Sequence, residues 1–143
     1  MKRFSIYIES TEYDENIEGK VGSRYYEIRH SGEVGLHKFE IRHSVSNVRG
    51  KKHIETDFDV DGSSDKIGNI DSHNSRKILL GVRRSIRDVI DREQPDRISF
   101  YGNSERKHKI YGSFAKNISS QYGGDHTFDE ESHHITFNKG NKL

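Results

Sequence analysis

Between residues 74 and 94 the apolar side chains Ile78, Leu79, Val82, Ile86, Val89 and Ile90 recur at spacings of three and four. That spacing places them along one face of an α-helix. Pro95, the only proline, ends the helix, because it has no N–H for the ladder and drives Gln94 out of the helical region. Polar residues 62–72 lead into the helix, and Asn74 or Ser75 is the expected N-cap. The run Arg97-Ile98-Ser99-Phe100-Tyr101-Gly102 then reads as a strand packed beside it.

The chain before this helix alternates with the period of two that belongs to half-buried strands. Phe4, Ile6 and Ile8 mark a first strand, and the acidic residues 9–22 read as a long loop. A second strand spans 24–30 with Tyr26 and Ile28 on one face. Ser31, Gly32 and Glu33 then turn the chain into a third strand over 34–45. The apolar phase slips between Leu36 and Phe39, which predicts a bulge near His37 and Lys38. After a basic turn at residues 49–52, Ile54, Thr56, Phe58 and Val60 alternate with Glu55, Asp57, Asp59 and Asp61. This fourth strand has one buried and one acidic face.

Beyond residue 102 a second helix is expected, capped by Asn103 or Ser104, carrying Ile110, Tyr111, Phe114 and Ile118 inward and stopped by Gly123-Gly124. Thr127-Phe128 and Ile135-Thr136-Phe137 form a hairpin around residues 129–132. Strands first and helices later imply one α+β domain over residues 1–143. Its expected architecture is a single antiparallel or mixed sheet with two helices on one face and a C-terminal hairpin.

Only 29% of the residues are hydrophobic against 33% charged, so the core is thin even with seven Tyr and seven Phe, and self-association or a covering partner is expected. The absence of cysteine excludes disulfides, thiolate zinc and thiol nucleophiles. No apolar run is as long as a membrane span or a signal-peptide core, which predicts a soluble cytoplasmic protein without membrane contact. Gly32, Gly35 and Gly50 are isolated turn residues that make no phosphate loop, and no cofactor is expected.

Charge is uneven. Residues 76–118 carry 11 Lys or Arg against five Asp or Glu, whereas residues 1–75 carry 11 against 14. On the helical wheel Arg76, Arg83 and Arg87 form a stripe beside the apolar face, with Lys77, Arg84 and Arg92 outside it. Such a row tracks a phosphate backbone, and Arg106, Lys107 and Lys109 extend it, with Tyr101 and Tyr111 as stacking partners. Arg84 with Asp88 and Arg87 with Asp91 would instead make the i, i+4 pairs of a solvated helix.

Two further motifs suggest chemistry. Asp57-Phe58-Asp59-Val60-Asp61-Gly62 begins like a calcium loop, with Ser63 and Asp65 at further ligand positions, but Gly68 stands where a bidentate Glu is required. His134 and Thr136 have the His-x-Thr form of two-histidine phosphoesterases, a chemistry that needs a second histidine facing the first. None of the nine histidines pair at i, i+4 or as His-x-His, so scattered surface histidines are expected over a metal site.

Residues 95–100 followed by Arg106-Lys107-His108-Lys109-Ile110-Tyr111-Gly112-Ser113-Phe114-Ala115-Lys116 resemble a pattern common in small bacteriophage-encoded proteins. There, an amphipathic helix leads into a Pro-Asp-x-Ile-x-Phe strand and then a helix with a basic residue, a Tyr and a small-residue-Lys ending. The resemblance runs from Val82 to Lys116 and implies a viral origin and an α+β fold, with no activity attached. The expectation is a phage accessory protein that binds nucleic acid through Arg76, Arg83, Arg84, Arg87, Lys107 and Lys109. The alternatives are a protein-interaction module, such as an inhibitor of host defence or a virion component, and a phosphodiesterase centred on His134 and Thr136.

Overall fold

Tight turns set the sheet. In the computed structural model, which describes residues 11–64, 66–102 and 104–138, β1 is Asp14–Glu18, β2 Tyr25–Val34, β3 His37–Val48 and β4 Lys51–Val60. Val34 pairs with His37, so β2 and β3 are joined by Gly35 and Leu36 alone. Gly35 supplies the positive φ, 60°, that a two-residue hairpin of this kind needs at its first central position. The turn expected at residues 31–33 is therefore strand, and there is no bulge at His37. The apolar phase slips because Leu36, 98% exposed, sits on the turn and belongs to neither face. Arg49 and Gly50, both with positive φ, make the next two-residue turn, between Val48 and Lys51.

The acidic stretch read as a loop contains β1, an edge strand whose five residues are all exposed. Its own side chains do not announce a strand. It is held by its ladder to β2 and by Glu15, which bonds His30 and Arg92. The expected Phe4–Ile8 strand lies outside the described residues.

Helix α1 spans Ser72–Glu93 and is capped by Asp71, whose carboxylate accepts from the Asn74 amide at 3.0 Å. The cap thus lies upstream of the expected Asn74 or Ser75. Gln94, left-handed at φ 50°, ends the helix before Pro95. Strand β5 (Arg97–Tyr101) follows, then helix α2 (Glu105–Tyr122), capped by Ser104 and stopped by left-handed Gly123, and the hairpin of β6 (Asp125–Phe128) and β7 (Ser132–Thr136). Asn103, the other candidate cap, lies outside the described residues.

The strands form one sheet in the order β1-β2-β3-β4-β5-β7-β6. It is mixed, because β4 and β5 run parallel across the α1 crossover and every other pair is antiparallel. The C-terminal hairpin is no separate appendage, since β7 pairs with β5 and completes the sheet. The registers align Tyr26, Ile28 and His30 with Val45, His43 and Ile41, then with Ile54, Thr56 and Phe58, Ile98 and Phe100, and Ile135 and His133. Both helices cover this face. Ser85 of α1 bonds His30 and His43, while Tyr111 of α2 stacks on Phe100 and meets Phe58 edge-on. Among the described residues no helix lies over the opposite face.

Candidate functional site

A shallow cleft between α1 and α2 is lined by Arg83, Ile86 and Arg87 on one side and Phe114, Asn117 and Ile118 on the other. Periodicity explains the placement. Ile86 and Ile118 belong to the buried stripes, and the two arginines are one position along from Val82 and Ile86, at the rim of the apolar face. Neither Arg83 nor Arg87 forms an ion pair with a described residue. The expected Arg87–Asp91 pair does not form; Asp91 Oδ1 accepts from the Tyr122 hydroxyl at 2.8 Å. Burial and that carboxylate push the Tyr122 phenol up to about 12. Arg76, exposed one turn from the helix start, is likewise unpaired among the described residues.

The remaining sequence candidates divide. Arg84 reaches Asp88 at 3.9 Å, lies over the Tyr13 ring and bonds the Thr11 carbonyl, so it fastens the N-terminal segment. Lys109 is exposed, 4.0 Å from Glu105. Lys107 is not a surface residue at all. It is 1% exposed, its Nζ donates to the Phe58 carbonyl and to Asp57 Oδ1, and it lies 4.0 Å from the Phe58 ring centre. Lys107 stands four residues before Tyr111 and seven before Phe114, on the inward stripe of α2. Its long apolar stem follows that stripe and its charge finds carboxylate and carbonyl at the edge of β4. Tyr111, fully buried, cannot stack on a base, and Tyr101, though 47% exposed, lies on the opposite face of the sheet. The stripe therefore lacks the aromatic platform expected for it.

The open sheet face is built differently. Arg42 bonds Glu40, Asp57 and Asp59 at 2.8–3.2 Å, and Arg29 bonds Glu27 at 2.8 Å. Asp61 accepts from His37 and the Lys38 amide. The three carboxylates of the calcium-like run thus serve cations and amides of this chain in different directions. Among the described residues no group of three or more His, Asp or Glu is arranged to hold a metal ion. Asp65 lies outside the described residues.

On this face Ser99 stands between His134 and a second histidine, His53. Ser99 Oγ lies 2.7 Å from His134 Nδ1 and 2.9 Å from His53 Nε2, and His134 Nε2 lies 2.9 Å from Ser132 Oγ. Both His134 nitrogens are thus engaged within the protein, and Thr136 is exposed at the strand end opposite Arg97. His53, Ser99 and Ser132 were not foreseeable from spacing, because only the strand order β4-β5-β7 brings them together. The signal available was a polar residue at every second position of each strand.

The helix-side core holds another polar chain. His43, fully buried, bonds Ser85 and Thr56, and His30 bonds Ser85 and Glu15. Burial holds the His43 imidazole well below its ordinary range, so it is neutral in the fold. Near the sheet edge, His126 lies 2.9 Å from His133, which stacks on Phe128. No helix among the described residues is long and apolar enough to cross a membrane. Compared with protein-family models and with curated proteins, the sequence matches none.

Proposed function

We propose that this chain is a phage-encoded accessory protein that binds nucleic acid through its helical layer. One observation carries the reading: Arg83 and Arg87 flank the α1–α2 cleft with no carboxylate partner among the described residues, while the arginines Arg29 and Arg42 of the sheet face are held by acids. Unpaired guanidinium groups spaced along one helix are poised to replace the counterions of a phosphate backbone. Arg76 lengthens the row along α1; the buried Lys107 takes no part. Without an aromatic platform, contacts fall on the backbone and little sequence preference is expected.

The test is capture of the tagged full chain from infected cells, split into halves with and without nuclease. Nucleic acid in the untreated half, with co-purifying proteins lost on digestion, supports the reading. A stoichiometric protein partner that survives digestion replaces it with the interaction-module reading, for which exposed Phe128 and Tyr101 are the natural anchors.

A further inference from the structure

The hydrogen bonds across the open face have a direction that the chemistry of their ends imposes. Asp129 Oδ1 accepts from the Glu131 and Ser132 amides and lies 2.8 Å from Ser132 Oγ. Those bonds, the Glu131 amide first, hold its carboxyl below the usual range, so it is an acceptor only. The single Ser132 hydroxyl proton therefore points at Asp129, and Ser132 Oγ must accept from His134 Nε2–H. Burial and then the Arg97 charge lower the His134 pKa, which favours the neutral ring, and a neutral ring that donates from Nε2 accepts at Nδ1 from the Ser99 hydroxyl. Ser99 Oγ in turn accepts from His53 Nε2–H. Each tautomer is set by the next, from β7 across β5 to β4.

The consequence lies at the far end. His53 is held as the Nε2–H tautomer, its Nδ1 lone pair has no partner among the described residues, and the ring is only partly covered. Arg97, the register partner of His53, is exposed and makes no ion pair among the described residues. An oriented imidazole lone pair beside an unpaired guanidinium fits a hydroxyl adjacent to a phosphate. In nucleic acids that combination is the ribose 2′-hydroxyl and its 3′-phosphodiester, so RNA fits and DNA does not.

We propose that the open sheet face is an RNA-cleaving site in which His53 Nδ1 is the general base and Arg97 holds the phosphate. His53 Nδ1 takes the proton of the 2′-hydroxyl. The 2′-oxygen forms a bond to phosphorus, the bond from phosphorus to the 5′-oxygen breaks, and the leaving 5′-oxygen takes a proton from water. The products are a 2′,3′-cyclic phosphate and a 5′-hydroxyl end, and the protonated ring returns its proton to solvent. Ser99, His134, Ser132 and Asp129 are positioning residues: they hold the lone pair outward and end the chain on a carboxylate that stabilises the imidazolium. This site stands apart from the helical stripe, on the other side of the sheet. A short substrate needs no contact with Arg83 or Arg87.

The experiment uses the full chain and a fluorophore–quencher oligodeoxynucleotide carrying one ribonucleotide, with an all-deoxy control. Cleavage at the ribonucleotide to a 2′,3′-cyclic end is expected, and none of the control. His53→Gln lowers the rate at least about a hundredfold. The rate of the wild type rises with pH through the titration of His53, which faces Arg97, Glu55 and His134. His134→Asn moves that pH midpoint while the melting curve stays that of a folded protein. Nitrogen-15 NMR of the wild type reads the relay independently of turnover, with a protonated Nε2 and bare Nδ1 on His53. Intact ribonucleotide substrate, a rate unchanged in His53→Gln, or a proton on His53 Nδ1 each overturns the proposal.

Discussion

Replacing Lys107 separates a buried structural cation from a nucleic-acid contact. Its ammonium bonds the Phe58 carbonyl, Asp57 and the Tyr111 hydroxyl, and its stem packs between α2 and β4. Lys107→Met keeps most of the stem and removes the donor. Asp57 is not stranded, because its side chain is 44% exposed and keeps Arg42, and the Tyr111 hydroxyl still donates to Asp57 and accepts from the Phe58 amide, so the cost reduces to an underbonded Phe58 carbonyl, about 1–2 kcal/mol. Lys107→Ala also empties the volume of the stem in contact with Phe58 and Tyr111, adding about 2–3 kcal/mol. Urea unfolding followed by circular dichroism should therefore rank wild type, Met and Ala in that order, with unchanged m-values. The salt dependence of oligonucleotide binding by the folded Met variant should equal that of the wild type. A Met variant as stable as the wild type with a weaker salt slope would refute the burial of Lys107 and return it to the binding surface.

Three further outcomes follow from the buried polar groups and the cap. Ser85→Ala removes the hydroxyl shared by two buried imidazoles and should cost about 2–3 kcal/mol by the same unfolding assay, whereas Ser85→Thr should retain part of the bonding. His43 has its pKa depressed by burial, so the unfolded chain binds the proton first. Its contribution is complete above the unfolded value of about 6.5 and is lost as pH falls below it, at up to about 1.4 kcal/mol per pH unit. Unfolding free energies measured from pH 7.5 to 5 should decline below 6.5, and His43→Gln should decline less steeply. Asp71→Ala should destabilise by about 1 kcal/mol, with Asp71→Ser recovering most of it in thermal melts.

The helix α1 and strand β5 were legible because periodicity and a lone proline act locally, and so were β4 and the C-terminal hairpin. What escaped the sequence depended on neighbours. Strand β1 offers no alternation, only an acidic run interrupted by Asn16 and Ile17, which a ladder and Arg92 hold in place. The Gly35-Leu36 turn imitated a bulge because an apolar residue occupied an exposed turn position. The charge of Lys107 points to the surface, whereas its spacing to Tyr111 and Phe114 puts it on the inward stripe of α2, and burial follows the spacing. The arginine stripe was legible as a pattern. That Asp91 accepts from Tyr122 while Arg87 has no ion pair among the described residues is a tertiary fact that no spacing contains. The row of His53, Ser99 and His134 required the parallel pairing of β4 with β5, which joins segments more than 40 residues apart.

The central claim, that unpaired arginines beside the α1–α2 cleft form the binding surface, is tested most directly by measuring single-stranded oligonucleotide affinity across salt concentrations. The wild type should bind with a steep salt slope, and the Arg83→Glu/Arg87→Glu double variant, folded by circular dichroism, should lose affinity and at least about 1.4 of that slope, two phosphate contacts' worth. An Arg29→Glu/Arg42→Glu control on the sheet face should leave the slope of the wild type in place. Equal slopes for the wild type and the Arg83/Arg87 variant would contradict the account and move the functional surface away from the helices.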